Sequence, residues 1–258
     1  EPQLFIKRTT TAPVIDGVLD DATWKDANLI TKFYQRVPIE GAPASEETEA
    51  YLTYDKDMIY LGVRMYDSEP DAIVAKELRE DELMINDDIF TIAIDSLLDR
   101  RNAFLFYINA NGTKSDARIE DNSNFNLEWD GIWYGASSRD DKGWITEIAI
   151  PFKTLSLDAD AEAWGLELER YIRRKNEFVY WANYDQNKDL AYVAEYGDLK
   201  GLENIDQGKG LDIKPQFAAR RDGFLVGRVR LYAEIRGLGR IDLHHAPLRH
   251  RPWQPHAG

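Results

Sequence analysis

Residues 86–119 read NDDIFTIAIDSLLDRRNAFLFYINANGTKSDARI. Apolar residues alternate through DIFTIAID (88–95) and AFLFYINA (103–110), which is the period of a β-strand rather than a helix. Asn111-Gly112 predicts a tight two-residue turn, with both central residues at positive φ, closing a hairpin onto TKSDARI. Carboxylates at Asp87, Asp88, Asp95, Asp99 and Asp116 surround it. Catalysis, metal binding and plain solvation all compete for them, and the rest of the chain has to decide.

The same period recurs on both sides. TEAYLTY (48–54), MIYLGVRMYD (58–67), GIWYGASS (131–138), GWITEIAIP (143–151), WGLELERYIRR (164–174) and FVYWANY (178–184) all read as strands. Eight or more short strands at this spacing predict an all-β fold, an antiparallel β-sandwich of jelly-roll type. Helix is confined to DDATWKDA (20–27), a short N-terminal helix with Asp20 as N-cap and Trp24 as a plug on the sandwich. PFKTL (151–155) predicts one Pro-initiated turn, and no fixed period points to a repeat protein.

The chain has 258 residues, enough to bury a sizeable core without staples, and no cysteine, which removes disulfides, thiolate metal sites and a thiol nucleophile. Net charge is -14, which disfavours a phosphate-backbone footprint, so nucleic acid is not an expected partner. No apolar run of about 20 residues predicts a transmembrane helix. The opening EPQLFIKRTTT, with neither initiator Met nor leader, reads as a mature secreted chain or a trimmed one.

Charge divides the chain near Ala219: residues 1–219 carry 24 basic and 43 acidic side chains, residues 220–258 eight and three. This predicts an acidic globular body and a basic extension, drawn here as 1–213 and 214–258. All four histidines, His244, His245, His250 and His256, fall in that extension, where nothing orients an imidazole, so serine triads and histidine-held metals are not expected. GKG (208–210) and GLG (237–239) lack the flanking strand and helix of a nucleotide loop.

Three chemistries remain. Paired carboxylates, Asp87 with Glu128 or Asp116 with Asp130, are the raw material of a glycoside hydrolase, which needs one protonated and one ionised acid across a cleft. Calcium takes six to eight oxygens in irregular geometry; DNSNFNLEWDG (121–131) offers Asp121, Glu128 and Asp130 among three asparagines, and Asp87 and Asp88 are further candidate ligands. Seven Trp and 13 Tyr supply flat rings for stacking on sugars. Trp24, Trp144 and Trp164 read as core, whereas Trp129, Trp133 and Trp181 are the candidate ligand-facing residues, with Arg173, Arg174 and Asn183 as hydrogen-bonding neighbours.

PVIDGVLDDATWKDA (13–27), TEAYLTYDKDMIYLGVRMYDSEPD (48–71), DDIFTIAIDSLLDRRNAFLFYINANGTKSDARI (87–119), WDGIWYGASSRDDKGWITEIAIPFKTL (129–155) and WGLELERYIRRKNE (164–177) together resemble the family 9 carbohydrate-binding modules. They are most similar to the family 9-like domain at the N-terminus of bacterial outer-membrane-associated proteins that end in a β-barrel. Asp16, Gly17, Leu19 and Asp20 match the family's opening segment. The resemblance implies a sandwich fold, structural calcium, and a sugar clamped between two tryptophans that no motif maps onto particular positions. It further implies a secreted, periplasmic or outer-membrane-associated life beside polysaccharide breakdown. The leading expectation is a non-catalytic carbohydrate-binding domain; an interaction or gating domain of an outer-membrane barrel with no sugar ligand comes second, and a glycosidase third. GDLKGLENIDQGKGLDIKPQFAAR (197–220) resembles the run into a first barrel strand, and the text beyond Gly239 loses alternation, as in a truncated or aberrant barrel start or a basic partner-binding tail.

Overall fold

Alternation becomes layering in the computed structural model, which describes residues 2–82, 84–158 and 161–206 in full and 211–218, 228–235 and 239–247 as strand backbones. In chain order the elements are β1 (Gln3–Phe5), β2 (Lys7–Arg8), helix α1 (Ala22–Asp26), β3 (Asn28–Ile30), β4 (Tyr34–Val37), β5 (Thr48–Tyr54), β6 (Met58–Tyr66), β7 (Ile89–Asp95), β8 (Ala103–Asn109), β9 (Lys114–Glu120), β10 (Asn124–Asn126), β11 (Tyr134–Asp140), β12 (Gly143–Pro151), β13 (Ala163–Ile172), β14 (Glu177–Tyr180) and β15 (Gly197–Lys200). One sheet runs β1-β15-β13-β7-β8-β9-β10, with β14 and β4 attached through β13; the other runs β11-β12-β6-β5-β2, with β3 on β5. Pairing is antiparallel except where the N-terminus adds β1 beside β15 and β2 beside β5 in parallel.

The core lies between the sheets. Ile92 faces Phe106 across β7 and β8, and Leu61 faces Ile148 across β6 and β12; all four are fully buried with Trp144, Leu52 and Leu168. Each aliphatic side chain so buried stabilises the fold by roughly 1.5–3 kcal/mol, so alternation in the long strands dominates the architecture. Among the described residues no helix is long and apolar enough to cross a membrane.

The Asp16-Gly17 segment docks on the outer face of the smaller sheet. Buried Glu147 accepts hydrogen bonds from Asp16 N, Gly17 N and Trp24 Nε1 at 2.9, 2.8 and 2.8 Å. Gly17 has φ +87°, and a Cβ there would lie 2.9 Å from the Ser137 backbone, so only glycine fits. Trp24 packs with Tyr60 and Ala149, the expected plug. The helix it sits on begins one residue late: Asp21, not Asp20, is the N-cap, and its carboxylate accepts from Val14 N instead of capping.

Two other local expectations are corrected. Only Gly112 has positive φ in the β8–β9 turn, because Asn109 Oδ1 accepts from both Asn111 N and Thr113 N and makes a longer turn. FVYWANY stops being strand at Tyr180, because Trp181, Ala182 and Asn183 turn their N–H groups onto the buried carboxylate of Glu167.

The chain divides into two compact units, residues 1–206 and 207–258. In the second, β16 (Leu211–Ala218), β17 (Arg228–Ile235) and β18 (Gly239–Pro247) form an antiparallel three-stranded sheet. The stretch beyond Gly239, expected to lack alternation, thus pairs through Pro247. Residues 248–258, and hence His250 and His256, lie outside the described residues.

Candidate functional site

Strand β9 carries its charges inward. Phe104, Phe106 and Ile108 of β8 belong to the inter-sheet core, and their register partners are Arg118, Asp116 and Lys114. Facing pairs share a side of the sheet, so Lys114, Asp116, Arg118 and Glu120 line its inner surface, and Asn124 and Asn126 of β10 continue it. Ala117 and Ile119 point the other way, into a second apolar cluster with Leu190, Val193 and Tyr196.

Residues 127–133 cross this charged row. Trp129 is half-buried and packs on Phe104 and Phe106 at ring distances of 5.0 and 5.8 Å. Gly131 lies so close to that indole that a Cβ would meet it at 2.5 Å. Trp133 is edge-on to Phe106 at 5.4 Å and donates its Nε1 hydrogen to Asp116 Oδ2 at 2.8 Å, while Gly131 N donates to Asp116 Oδ1 at 3.3 Å. Asp116 therefore braces the crossing with both oxygens. Burial pushes its carboxyl up to about 6 against the pull of those two donors, with Asp130 and Asp81 adding repulsion.

The crossing leaves cations on either side of it. Lys114 Nζ lies 5.3 Å from the Trp133 ring and 3.6 Å from Glu80, and borders an open cavity of about 490 Å³ with Pro13, Ile15, Met58, Tyr60 and Tyr134. Arg118 lies 5.5 Å from the Phe104 ring; its Nε is buried without a hydrogen bond, and no carboxylate among the described residues closes an ion pair with it. Beside it Glu120 accepts weakly from Asn126 Nδ2 at 3.5 Å. The patch thus offers a guanidinium donor, a carboxylate, an amide and an indole.

The other sequence-predicted residues go elsewhere. Trp133 and Trp181 are only 5 % and 8 % exposed, so neither presents a ring face, contrary to expectation; their apolar bodies complete the core. Asn183 is buried beside Trp181, with its backbone on Glu167 and its Oδ1 accepting from Asp185 N. Arg173 and Arg174 lie in the β13–β14 turn, at the opposite end of β14 from Trp181. Arg174 is bound to Glu46, Asp67 and Glu69. The six residues therefore form no single platform.

Nor do the five candidate calcium ligands converge. Asp87 spends its oxygens on Lys76 N, Glu77 N and Asn109 Nδ2. Asp88 accepts from Val74 N, Asp121 pairs with Arg101 on the surface, and Glu128 and Asp130 are exposed. Among the described residues no group of three Asp, Glu or His is arranged to hold a metal.

With this geometry in view, the family model described as "Carbohydrate family 9 binding domain-like" matches residues 15–197. The chain belongs to that family. The family 9-like span opens beside the Asp16-Gly17 dock and ends at the first residue of β15, so it takes in both sheets apart from β1, β2 and the rest of β15. A family 9 carbohydrate binding module from Caldicellulosiruptor kristjanssonii, solved with cellotriose and with glucose, is 16% identical; the match covers 77% of this chain and 92% and 94% of those chains, with a TM-score of 0.56 for each. A putative carbohydrate-binding protein from Bacteroides uniformis is 13% identical over 77% of this chain and 98% of its own, with a TM-score of 0.60. At such identities the likeness establishes the family 9 fold alone. None of the curated proteins matches this chain.

Lys114, Arg118 and Glu120 of this family 9-like domain escaped the sequence reading. Their signal is the alternation of KSDARIE (114–120), legible as a strand but silent about which face turns inward.

Proposed function

We propose that this domain binds a neutral oligosaccharide, without cleaving it, on the inward face of β9 and β10 beside Trp129. One observation carries the reading: Arg118 is half-buried on the inner face of a sandwich, where an unpaired cation is costly, and lacks an ionic partner among the described residues. A sugar offers what this surface asks for. Its hydroxyls both accept from a guanidinium and donate to Glu120, and its C–H face stacks on an indole such as Trp129. Membership of the carbohydrate family 9 binding domain-like family, and a shared fold with a module solved with cellotriose, support the ligand class.

Turnover is disfavoured by the bracing of Asp116. A general acid needs a carboxyl within reach of the leaving oxygen, and both Asp116 oxygens are engaged by residues 131 and 133.

Titration calorimetry with cello-, xylo- and manno-oligosaccharides tests the proposal. Saturable heat without new reducing ends is the expected result, falling about tenfold or more in Trp129→Ala and Arg118→Ala. A folded domain that yields no heat with any sugar, or heat indifferent to both substitutions, would overturn it.

A further inference from the structure

We infer that two internal guanidinium groups, Arg170 and Arg174, do the structural work that the family resemblance gives to calcium, so that this sandwich is held shut by its own side chains and is indifferent to the ion. Calcium gathers carbonyl, hydroxyl and carboxylate oxygens around one point. Here those oxygen types are gathered around Arg170. Its side chain is 1% exposed and rises from the inner face of β13; Nη1 donates to Glu47 O at 2.9 Å and Thr48 Oγ1 at 3.0 Å, and Nη2 donates to Tyr66 O at 2.7 Å. Asp67 Oδ2 lies 4.0 Å from the same Nη2, and Asp88 feels the same positive charge. One cation thus ties the larger sheet to the start of β5 and the end of β6.

Arg174 completes the arrangement at the rim. Its Nη2 donates to Asp67 Oδ1 at 2.6 Å and Glu46 Oε1 at 2.7 Å, and its Nη1 to Glu69 Oε1 at 3.0 Å. Lys175 adds a further bond to Glu46. Burial alone would raise the Glu46 carboxyl, yet bonds from Lys175 and Ser68 hold it down at about 2. Glu46, Asp67 and Glu69 each already face a guanidinium or ammonium group, which leaves a divalent ion little to gain. The five acids suggested by sequence for calcium are scattered or engaged by backbone N–H groups, as described above.

Scanning calorimetry of the intact protein, with excess calcium and again with chelator at matched ionic strength, tests the inference. The parent is expected to melt at the same temperature in both; a rise with calcium or a fall with chelator would overturn it. Arg174→Ala, at the accessible edge, is expected to melt lower than the parent and to recover part of the loss on adding calcium, because Asp67, Glu46 and Glu69 are then released to bind it. Arg174→Lys should retain most of the parent's melting temperature. An Arg174→Ala variant that melts like the parent, or melts lower without responding to calcium, would equally sink the substitution.

Discussion

Strands β9 and β13 both run within the larger sheet, and both carry charges where a sandwich normally buries apolar groups. On β13 the charged groups are engaged by the fold, although Arg170 Nε, like Arg118 Nε on β9, is buried without a hydrogen bond. Glu167 accepts from Leu168 N, Trp181 N, Ala182 N and Asn183 N at 3.0, 3.0, 2.8 and 2.7 Å, Glu169 is bonded by Tyr180 and Thr91, and Arg170 spends its two terminal nitrogens on carbonyl and hydroxyl oxygens. On β9, the Arg118 side chain makes no hydrogen bond or ion pair among the described residues, and Glu120 has one long bond. A buried charge that the fold itself satisfies is architecture, whereas one left half-open is a surface awaiting something else.

Breaking the satisfied side should have the largest effect. Glu167→Gln turns an amide NH2 toward backbone N–H groups that the carboxyl accepts from, and the loss expected is about 1–3 kcal/mol, since orphaned buried donors are costly. Urea denaturation of parent and variant measures it; a loss near zero would mean that the turn after β14 is held by other contacts.

A smaller effect, on β9, is read by pH. Burial raises the Asp116 carboxyl from its ordinary 3.8 to about 6, so the folded state holds the proton more tightly than the unfolded chain. The stability this contributes is fully present below 3.8 and is lost as pH rises through about 6. Asp116→Asn has no such proton, so its stability relative to the parent should improve between about pH 4 and about pH 7. A parent-to-variant difference that stays constant over that window in denaturation curves would show that Asp116 does not titrate there.

Arg118→Ala should have the smallest effect on stability, within about 0.5–1 kcal/mol either way, because no satisfied network is broken. Its binding loss in the titration above is then separable from unfolding. Should Arg118→Ala instead cost as much as Glu167→Gln, the distinction between the strands would collapse.

Much of the architecture was legible in the chain. The strands β5, β6, β7, β8 and β12 follow their apolar alternation almost residue for residue, because one face of each is buried in a common core and the period is forced. Strand β9 was legible only as a strand. Ala117 and Ile119 are apolar and the alternate positions charged, and the ordinary inference turns the apolar side toward the space between the sheets. Here the outer face of the sheet is itself covered by residues 190–196, so the apolar side has somewhere else to go. The tryptophans misled for a related reason: Trp133 and Trp181 flank strands in polar company, yet each is drawn inward, Trp133 by its bond to Asp116 and Trp181 by the turn about Glu167.

The amino-acid sequence by itself determined the long strands and the membership of a carbohydrate-binding family, because these depend on local periodicity and on residue types in order. Which charges are neutralised and which are left open was decided only by the tertiary structure. Hydrogen bonds such as Arg170 to Glu47 and Tyr66, or Trp133 to Asp116, join residues distant in the chain, and no spacing along it encodes whether their geometry closes.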